Sequence, residues 1–322
     1  MTFATHLKMT FASIALVSSF GMSPCSNVYA APADDQMSTA SAAQEFQVGS
    51  LYVEKYANPK AKGAPIILIP GLTSGGYVWD ETVKRLRGEH ELYVVTLAGF
   101  SGKPAIAGPK LPKLKASLLE LIQTQKINKP VLVGHSLGSA SSIWFATEYS
   151  NLIRGVFGVD GLPVFPGTEN MSPEQRKTMA ENTRTAMAGL DAATFASQQI
   201  QYMNFTGVLD PKLADSIGAR AGKSDPAATA DYMAELFMLD MRPDLHKISV
   251  PVAVVSPFYA PDFARFNMTE EQKNGLYKNL TNGIPNLKLI SVNNSRHFVM
   301  QDQPEVFHQK LKDFLQDLTS RP

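Results

Sequence analysis

The sequence is poor in cysteine and has no excess of either charge. Its only cysteine is Cys25, and 30 lysines and arginines are balanced by 29 aspartates and glutamates. The formal net charge of +1 gives no electrostatic reason to expect a nucleic acid or an anionic membrane as a partner. Since Cys25 lies within the N-terminal segment predicted below to be removed, the mature chain is expected to have no disulfide and no thiol chemistry.

Motifs for metal sites and membrane spans are also missing. No His-Glu-x-x-His motif is present, and the mature chain is expected to lack cysteine ligands. Beyond the N-terminus no segment has the roughly 20 apolar residues of a membrane-spanning helix. We therefore expect no metal, no other cofactor and no integral membrane segment in the mature chain. The sequence does not indicate an oligomeric state.

The first 30 residues have the pattern of a secretory signal. Lys8 supplies a short positive region, and Met9 to Met22 form an apolar run of the length expected for the hydrophobic region. We predict cleavage after Ala30 and export to the periplasm or the medium. A membrane anchor is a poorer fit because the run is too short, and a lipoprotein is a poorer fit because Pro24 directly precedes Cys25.

The rest of the chain predicts a fold of the α/β class. Residues 31–44 have little to bury and predict a disordered leader. Apolar runs and helical patterns then alternate, which indicates a mostly parallel sheet flanked by helices. The predicted strands are residues 51–53, 65–69, 92–96, 130–133, 155–159, 251–255 and 287–290. Residues 164–246 carry helical patterns without a strand, and predict a helical cap inserted into a core of residues 45–163 and 247–322.

Three short patterns predict helix starts. In each, a residue that caps a helix N-terminus is followed three residues later by a glutamate or a glutamine, which is the capping-box pattern. The three pairs are Ser172–Gln175, Thr269–Gln272 and Asp302–Glu305.

The most specific chemical motif is the pentapeptide Gly-His-Ser-Leu-Gly, in which Ser136 is the central residue. It follows the predicted strand at 130–133 and opens a helical pattern, the context in which G-x-S-x-G forms a nucleophile elbow. We expect Gly134 and Gly138 because side chains there would collide with the strained serine turn. The helix start would then offer the Leu137 N–H to a developing oxyanion.

With this elbow, the segment Ile69-Pro70-Gly71-Leu72-Thr73 and a late histidine, the chain resembles the α/β-hydrolase superfamily of serine hydrolases, in particular exported bacterial esterases and lipases. The resemblance covers essentially the whole mature sequence. It implies the α/β-hydrolase fold and a second oxyanion N–H from Leu72. An ordinary strand-to-helix turn would also use proline and glycine at this place, so the role of Leu72 depends on the resemblance.

His297 is the predicted general base. It lies between the strand at 287–290 and the last helix, where a loop at the carboxyl edge of the sheet can reach the serine hydroxyl. His135, inside the elbow, is expected to point away from the nucleophile and to line the pocket. The remaining histidines lie in the signal, in charged runs or on the last helix, and are His6, His90, His246 and His308.

The acid that would orient His297 has two candidates. In the superfamily it usually follows the penultimate strand, here residues 251–255, but Ser256 to Tyr259 contain no aspartate and the nearest one is Asp262. Some members place the acid one strand earlier, where Asp160 directly ends the strand at 155–159. We favour Asp160 because its position is fixed by the sheet, although an aspartate there can also simply cap a turn.

These residues predict a serine hydrolase that cleaves a small-molecule carboxylic ester through an acyl-enzyme. An amidase or a peptidase would use the same residues, and a non-catalytic binding protein of the same fold is a further alternative. Halide and epoxide chemistry in this fold uses an aspartate nucleophile, so Ser136 argues against both. Thr96 to Gly102 depart from the loop that many relatives carry after the fourth strand, so a relative's substrate does not transfer directly.

Overall fold

The computed structural model describes residues 43–264 and 266–320. The predicted signal at 1–30 and residues 31–42 of the predicted leader lie outside the described residues. Gln44, the last residue of the predicted leader, begins the first strand instead, because it pairs with a neighbouring strand. Within the described part of the chain, no helix has both the length and the apolar character needed to cross a bilayer.

One sheet of eight strands forms the centre of the fold, in the spatial order β1-β2-β4-β3-β5-β6-β7-β8. β1 and β2 pair antiparallel, as do β2 and β4, and all other neighbours are parallel. The strands are β1 (Gln44–Val48), β2 (Leu51–Tyr56), β3 (Ile66–Ile69), β4 (Leu92–Leu97), β5 (Val131–His135), β6 (Gly155–Val159), β7 (Val252–Phe258) and β8 (Leu287–Asn293). The seven predicted strands are all present, whereas β1 was not anticipated.

Successive side chains along each strand point to opposite faces of the sheet, and each face carries its own apolar core. In β3, Ile67 and Ile69 belong to one core, and Ile66 and Leu68 belong to the other. Every residue of β3 to β6 is buried. Because such strands are covered on both faces, they read in sequence as continuous apolar runs.

Eleven α-helices lie within the described residues. They are α1 (Asp80–Leu86), α2 (Lys110–Thr124), α3 (Leu137–Tyr149), α4 (Pro173–Ala188), α5 (Ala192–Tyr202), α6 (Pro211–Ala221), α7 (Pro226–Met238), α8 (Ala260–Ala264), α9 (Glu270–Leu280), α10 (Val299–Asp302) and α11 (Pro304–Thr319). The capping boxes predicted for α4 and α9 are both formed.

The third predicted capping box is wrong. α11 begins at Pro304, and the residue before it, Gln303, makes no side-chain cap. The carboxylate of Asp302 instead accepts hydrogen bonds from the backbone N–H groups of Leu209 and Arg296, each at 2.8 Å. It therefore joins two distant segments rather than capping the helix that follows it.

Helices α4 to α7 lie between β6 and β7 in the sequence, and residues 164–246 are called the helical insertion below. The insertion contacts the carboxyl edge of the sheet. Asp225 N–H donates to the carbonyl of Gly99, which follows β4, at 2.7 Å. The carboxylate of Glu235 accepts hydrogen bonds from the backbone N–H groups of Lys110 and Leu111, which open α2. The insertion therefore lies on the side of the sheet where β5 delivers Ser136.

Candidate active site

Ser136 occupies a strained turn between β5 and α3. Its backbone has φ 53° and ψ −116°, in a region that residues with a side chain rarely adopt. Two backbone hydrogen bonds hold it there: Ser136 N–H donates to Val159 O at 2.7 Å, and its own carbonyl accepts from Ala140 at 3.0 Å. Such strain persists only where the surrounding structure enforces it, and it is frequent at functional sites.

The flanking glycines permit close backbone contacts. A Cβ atom added to Gly134 would lie 2.3 Å from Gly138 O, and one added to Gly138 would lie 2.3 Å from Ile69 O. The expected collision was with the serine turn itself, and the structure corrects this reason. Glycine is needed because α3 starts directly against β5 and against the end of β3.

The segment after β3 lies against the elbow. A Cβ atom on Gly71 would be 3.0 Å from Ser136 Cβ, so Leu72, the next residue, is close to the serine turn. Thr73 has a positive φ of 58°, and its hydroxyl donates to Leu72 O at 2.6 Å. Leu137 is the first residue of α3, and N–H groups in the first turn have no partner within the helix. Both predicted oxyanion residues therefore border Ser136.

His297 lies in the loop between β8 and α10. Its backbone N–H donates to Thr206 O in the helical insertion at 3.2 Å. Its ring centroid is 4.5 Å from that of His135, the residue before Ser136. The loop therefore brings the predicted base to the end of β5 where the predicted nucleophile lies.

Asp160, and not Asp262, contacts His297. Asp160 directly follows β6 with a positive φ of 47°, and its Oδ2 is 2.5 Å from His297 Nδ1. Its other oxygen, Oδ1, accepts a hydrogen bond from the hydroxyl of Tyr277 on α9. The side chains of His297 and Asp160 are only 16% and 14% exposed, so water competes little for this hydrogen bond.

Asp160 is held as a carboxylate. Its burial by itself raises the pKa, but the charges of Lys273 and His297 and the hydrogen bonds from His297 and Tyr277 oppose this. The net result is a pKa well below the ordinary value. An ionised Asp160 accepts the Nδ1–H of His297, which leaves the other ring nitrogen, Nε2, as a proton acceptor.

Asp262 forms a bidentate ion pair with Arg296. The guanidinium Nε and Nη2 lie 2.8 and 3.1 Å from the two carboxylate oxygens. Arg296 also donates to the carbonyl of Asn204 in the insertion at 2.7 Å. Asp262 thus holds the residue next to His297 in place, but its carboxylate is committed to a different partner.

His135 does not line a pocket, contrary to the expectation from its sequence position. Its side chain is completely buried, and its Nε2 lies 3.1 Å from the carbonyl of His297. Because a carbonyl only accepts, Nε2 carries the proton, and within the described residues Nδ1 has no hydrogen-bond partner. Burial and the neighbouring His297 lower the pKa of His135 well below its ordinary value. It is therefore a neutral donor that supports the loop of His297.

Three residues near Asp160 and His297 were not predicted from the sequence. Lys273 and Tyr277 lie one turn apart on the buried side of α9. Tyr202, at the end of α5, has its ring centroid 6.4 Å from that of His297. A lysine within the apolar stripe of a helix was the one available signal, since lysine is rarely buried without a partner.

No alternative metal centre is evident in the described ranges. Within residues 43–264 and 266–320, no group of three or more histidine, cysteine, aspartate or glutamate side chains is arranged to hold a metal ion.

The strand order, the strained serine after β5 and the histidine after β8 define a protein with the α/β-hydrolase fold. A family model described as the Alpha/beta hydrolase family matches residues 66–310, more than half of the chain. The chain belongs to this family and is a hydrolase.

Curated relatives and solved structures are similar along most of the chain. It is 23% identical over 269 residues to 2-(acetamidomethylene)succinate hydrolase from Mesorhizobium japonicum, covering 80% of this chain and 89% of the relative. It is 21% identical over 260 residues to pimeloyl-[acyl-carrier protein] methyl ester esterase from Vibrio cholerae, covering 80% and 97%. A thermophilic esterase structure from Thermogutta terrifontis superposes with a TM-score of 0.68 at 19% identity, covering 86% of this chain and 99% of that one. These similarities agree on the fold.

Proposed function

We propose that this hydrolase cleaves a carboxylic ester through an acyl-enzyme, with Ser136 as nucleophile, His297 as general base and Asp160 as the orienting acid. The observation that carries the proposal is the 2.5 Å contact between His297 Nδ1 and Asp160 Oδ2 beside the strained serine turn. A serine, a base and an orienting carboxylate in this relation are the parts of the acyl-transfer triad.

The proposed reaction begins when His297 Nε2 takes the proton of Ser136 as the hydroxyl attacks the ester carbonyl. The Leu137 and Leu72 N–H groups stabilise the resulting oxyanion. His297 then gives the proton to the departing alcohol, which leaves an ester on Ser136. A water molecule, activated by the same imidazole, releases the carboxylic acid and restores the serine. Asp160 stays ionised throughout and stabilises the imidazolium.

An ester is favoured over an amide by the names of two similar proteins. The Vibrio cholerae relative is a methyl ester esterase, and the Thermogutta terrifontis structure is that of an esterase. An amidase would use the same residues, so matched esters and anilides of the same acyl group separate the two activities.

A panel of p-nitrophenyl esters with acyl chains of increasing length tests the proposal. We expect saturable hydrolysis by the wild type, and a loss of at least about 10³-fold in kcat/KM in Ser136→Ala. Ser216→Ala, which changes an exposed serine on α6, should be unaffected. Folded wild-type protein that binds the esters without hydrolysing any of them would instead favour the binding-protein alternative.

We also propose that the chain is exported and cleaved between Ala30 and Ala31. The support is the charged start, the apolar run and the small residues before that bond. N-terminal sequencing of protein recovered from the periplasm or the medium is expected to begin at Ala31. An intact Met1, or a lipid on Cys25, would contradict the proposal.

A further inference from the structure

A buried lysine, Lys273, packs against the tyrosine that contacts Asp160: its ammonium lies 5.1 Å from the centroid of the Tyr277 ring, and the Tyr277 hydroxyl donates to Asp160. Lys273 on α9 is only 6% exposed, and its ammonium donates a hydrogen bond to the carbonyl of Pro257 at the end of β7. A carbonyl leaves the positive charge uncompensated, and an uncompensated buried charge is strongly destabilising. Burial lowers the pKa of Lys273, and the charge of Asp160 opposes that change. The two charges therefore stabilise one another across the end of the sheet.

Tyr277, one helical turn after Lys273, contacts Asp160 directly. Its hydroxyl donates to Asp160 Oδ1, while His297 Nδ1 occupies Oδ2. Each carboxylate oxygen thus has its own donor, which fixes the plane of the carboxylate. The start of α9 is set by the capping box of Thr269 and Gln272, so the helix presents Lys273 and Tyr277 together.

We propose that Lys273 and Tyr277 are positioning residues, in which Lys273 keeps Asp160 ionised and Tyr277 keeps it turned toward His297. The proposal rests on the function proposed above. It follows from the placement of Asp160 directly after β6, where burial alone would favour a neutral carboxylic acid. A neutral acid would not stabilise the imidazolium that forms during ester cleavage.

Other groups around His297 do not replace this support. Arg296 is balanced by its ion pair with Asp262. His135 is held neutral by its burial, and the burial of Tyr202 raises its pKa, so that it too is uncharged. The titratable and charged groups facing the pair from the packed elements are thus His135 from β5, Tyr202 from α5, Lys273 and Tyr277 from α9, and Arg296 from the same loop.

Removing the lysine charge is expected to move the active protonation state to higher pH. In Lys273→Met, both the ionisation of Asp160 and the deprotonation of the His297 imidazolium become less favourable. Each effect demands a higher pH for the active form, so their signs agree. We expect the acid limb of the kcat/KM profile to shift to higher pH by about one unit, the size of shift typical of a nearby charge. A purely structural role of Lys273 would not move this limb.

Tyr277→Phe removes one oxygen without changing the packing. We expect kcat to fall about tenfold with KM nearly unchanged, because the hydrogen bond is to a charged group that acts in the transition state. If Lys273→Met fails to fold, Lys273→Gln removes the same charge and takes its place, while Tyr277→Phe tests the role of Tyr277. The matched control is Lys278→Met, which removes an exposed lysine from the same helix and should leave the profile unchanged.

An NMR titration of His297 tests the proposal without relying on catalysis. In the Ser136→Ala background, the midpoint pH of the His297 titration should rise in Lys273→Met but not in Lys278→Met. An active wild type whose profile and midpoint are unchanged by Lys273→Met, with kcat unchanged by Tyr277→Phe, would overturn the positioning roles and leave the proposed function intact. A wild type with no esterase activity, but with the predicted shift in midpoint, would contradict the proposed function alone.

Discussion

At the residue scale, the position of the acid is what distinguishes this site. The proposed acid, Asp160, follows β6, whereas the end of β7, where the superfamily usually places the acid, carries Ser256 to Phe258 and no aspartate. Asp160 N–H donates to Val255 O at 3.0 Å, so the neighbouring strand fixes the backbone of the acid. Tyr277 and Lys273 then complete its surroundings from α9. An aspartate after β6, one strand before the usual position, is thus able to contact His297.

Exchanging each candidate acid for its amide separates their roles. Asp160→Asn should lower turnover by up to about 10⁴, because the amide no longer enforces the required tautomer of His297 or stabilises its imidazolium. Asp262→Asn should cost less than about tenfold, since Asp262 acts only through Arg296. Ester hydrolysis by both proteins, with folding checked by circular dichroism, provides the measurement. Near-normal turnover in Asp160→Asn together with a large loss in Asp262→Asn would reverse the assignment.

The sequence predicts individual site residues only where a local pattern marks them. Ser136 and His297 stand in recognisable positions relative to strands and turns, and Asp160 ends a strand. Tyr277 contacts Asp160 from 117 positions along the chain, and nothing local to Tyr277 indicates this. The role proposed for Lys273 and Tyr277 became apparent only from the packing of α9.

At the scale of elements, the close approach of α3 to the strands explains the two glycines of the elbow. An added Cβ on Gly138 would meet the backbone oxygen of Ile69, which cannot rotate away. Gly275, which is half-buried in α9, provides the opposite case, since an added Cβ there has no neighbour within 4 Å.

Gly138→Ala and Gly275→Ala should therefore change the free energy of unfolding in opposite directions. Gly138→Ala should lower the free energy of unfolding by about 1–3 kcal/mol, the usual cost of overpacking, and should also impair hydrolysis because α3 must shift. Gly275→Ala should raise it by about 0.5–1 kcal/mol, because alanine favours the helix. Urea unfolding of both variants and the wild type measures these changes. Equal effects at the two positions would contradict the packing argument.

The elements that were predicted correctly have strong and local sequence signals. β3 to β6 read as apolar runs because both faces are covered. β1 was not predicted because most of its residues are exposed and polar. Its pairing with β2 depends on tertiary structure and leaves no apolar run in the sequence. Asp302 fits a capping box by sequence, but Leu209 and Arg296 compete for its carboxylate.

At the scale of the whole molecule, the helical insertion is joined to the loop of His297. The backbone N–H groups of His297 and Phe298 donate to carbonyls of Thr206 and Gly207 at 3.2 and 3.0 Å. Arg296 adds its side-chain hydrogen bond to Asn204 and its ion pair with Asp262. The insertion and the predicted base are therefore held as one assembly, even though they are far apart in sequence.

Removing the Arg296 side chain should destabilise both the insertion at residues 203–208 and the His297 loop at residues 295–298. Arg296→Met should lower the free energy of unfolding by about 3 kcal/mol, because Asp262 and two backbone carbonyls lose a partly buried charged partner. Hydrogen exchange measured by mass spectrometry should increase in both residues 203–208 and 295–298. Arg184→Met, which removes an exposed ion pair with Asp231, should cost less than about 1 kcal/mol and leave both segments unchanged. Faster exchange confined to residues 295–298 would show that the insertion is held independently.

The central claim is that Ser136 is an activated nucleophile, and covalent labelling tests it most directly. A fluorophosphonate probe should add one phosphonyl group to the folded wild type, and peptide mapping by mass spectrometry should place that group on Ser136. Ser136→Ala should not be labelled, and Asp160→Asn should be labelled much more slowly. Label that persists in Ser136→Ala, or its absence from the folded wild type under conditions that label a known serine esterase, would contradict the account.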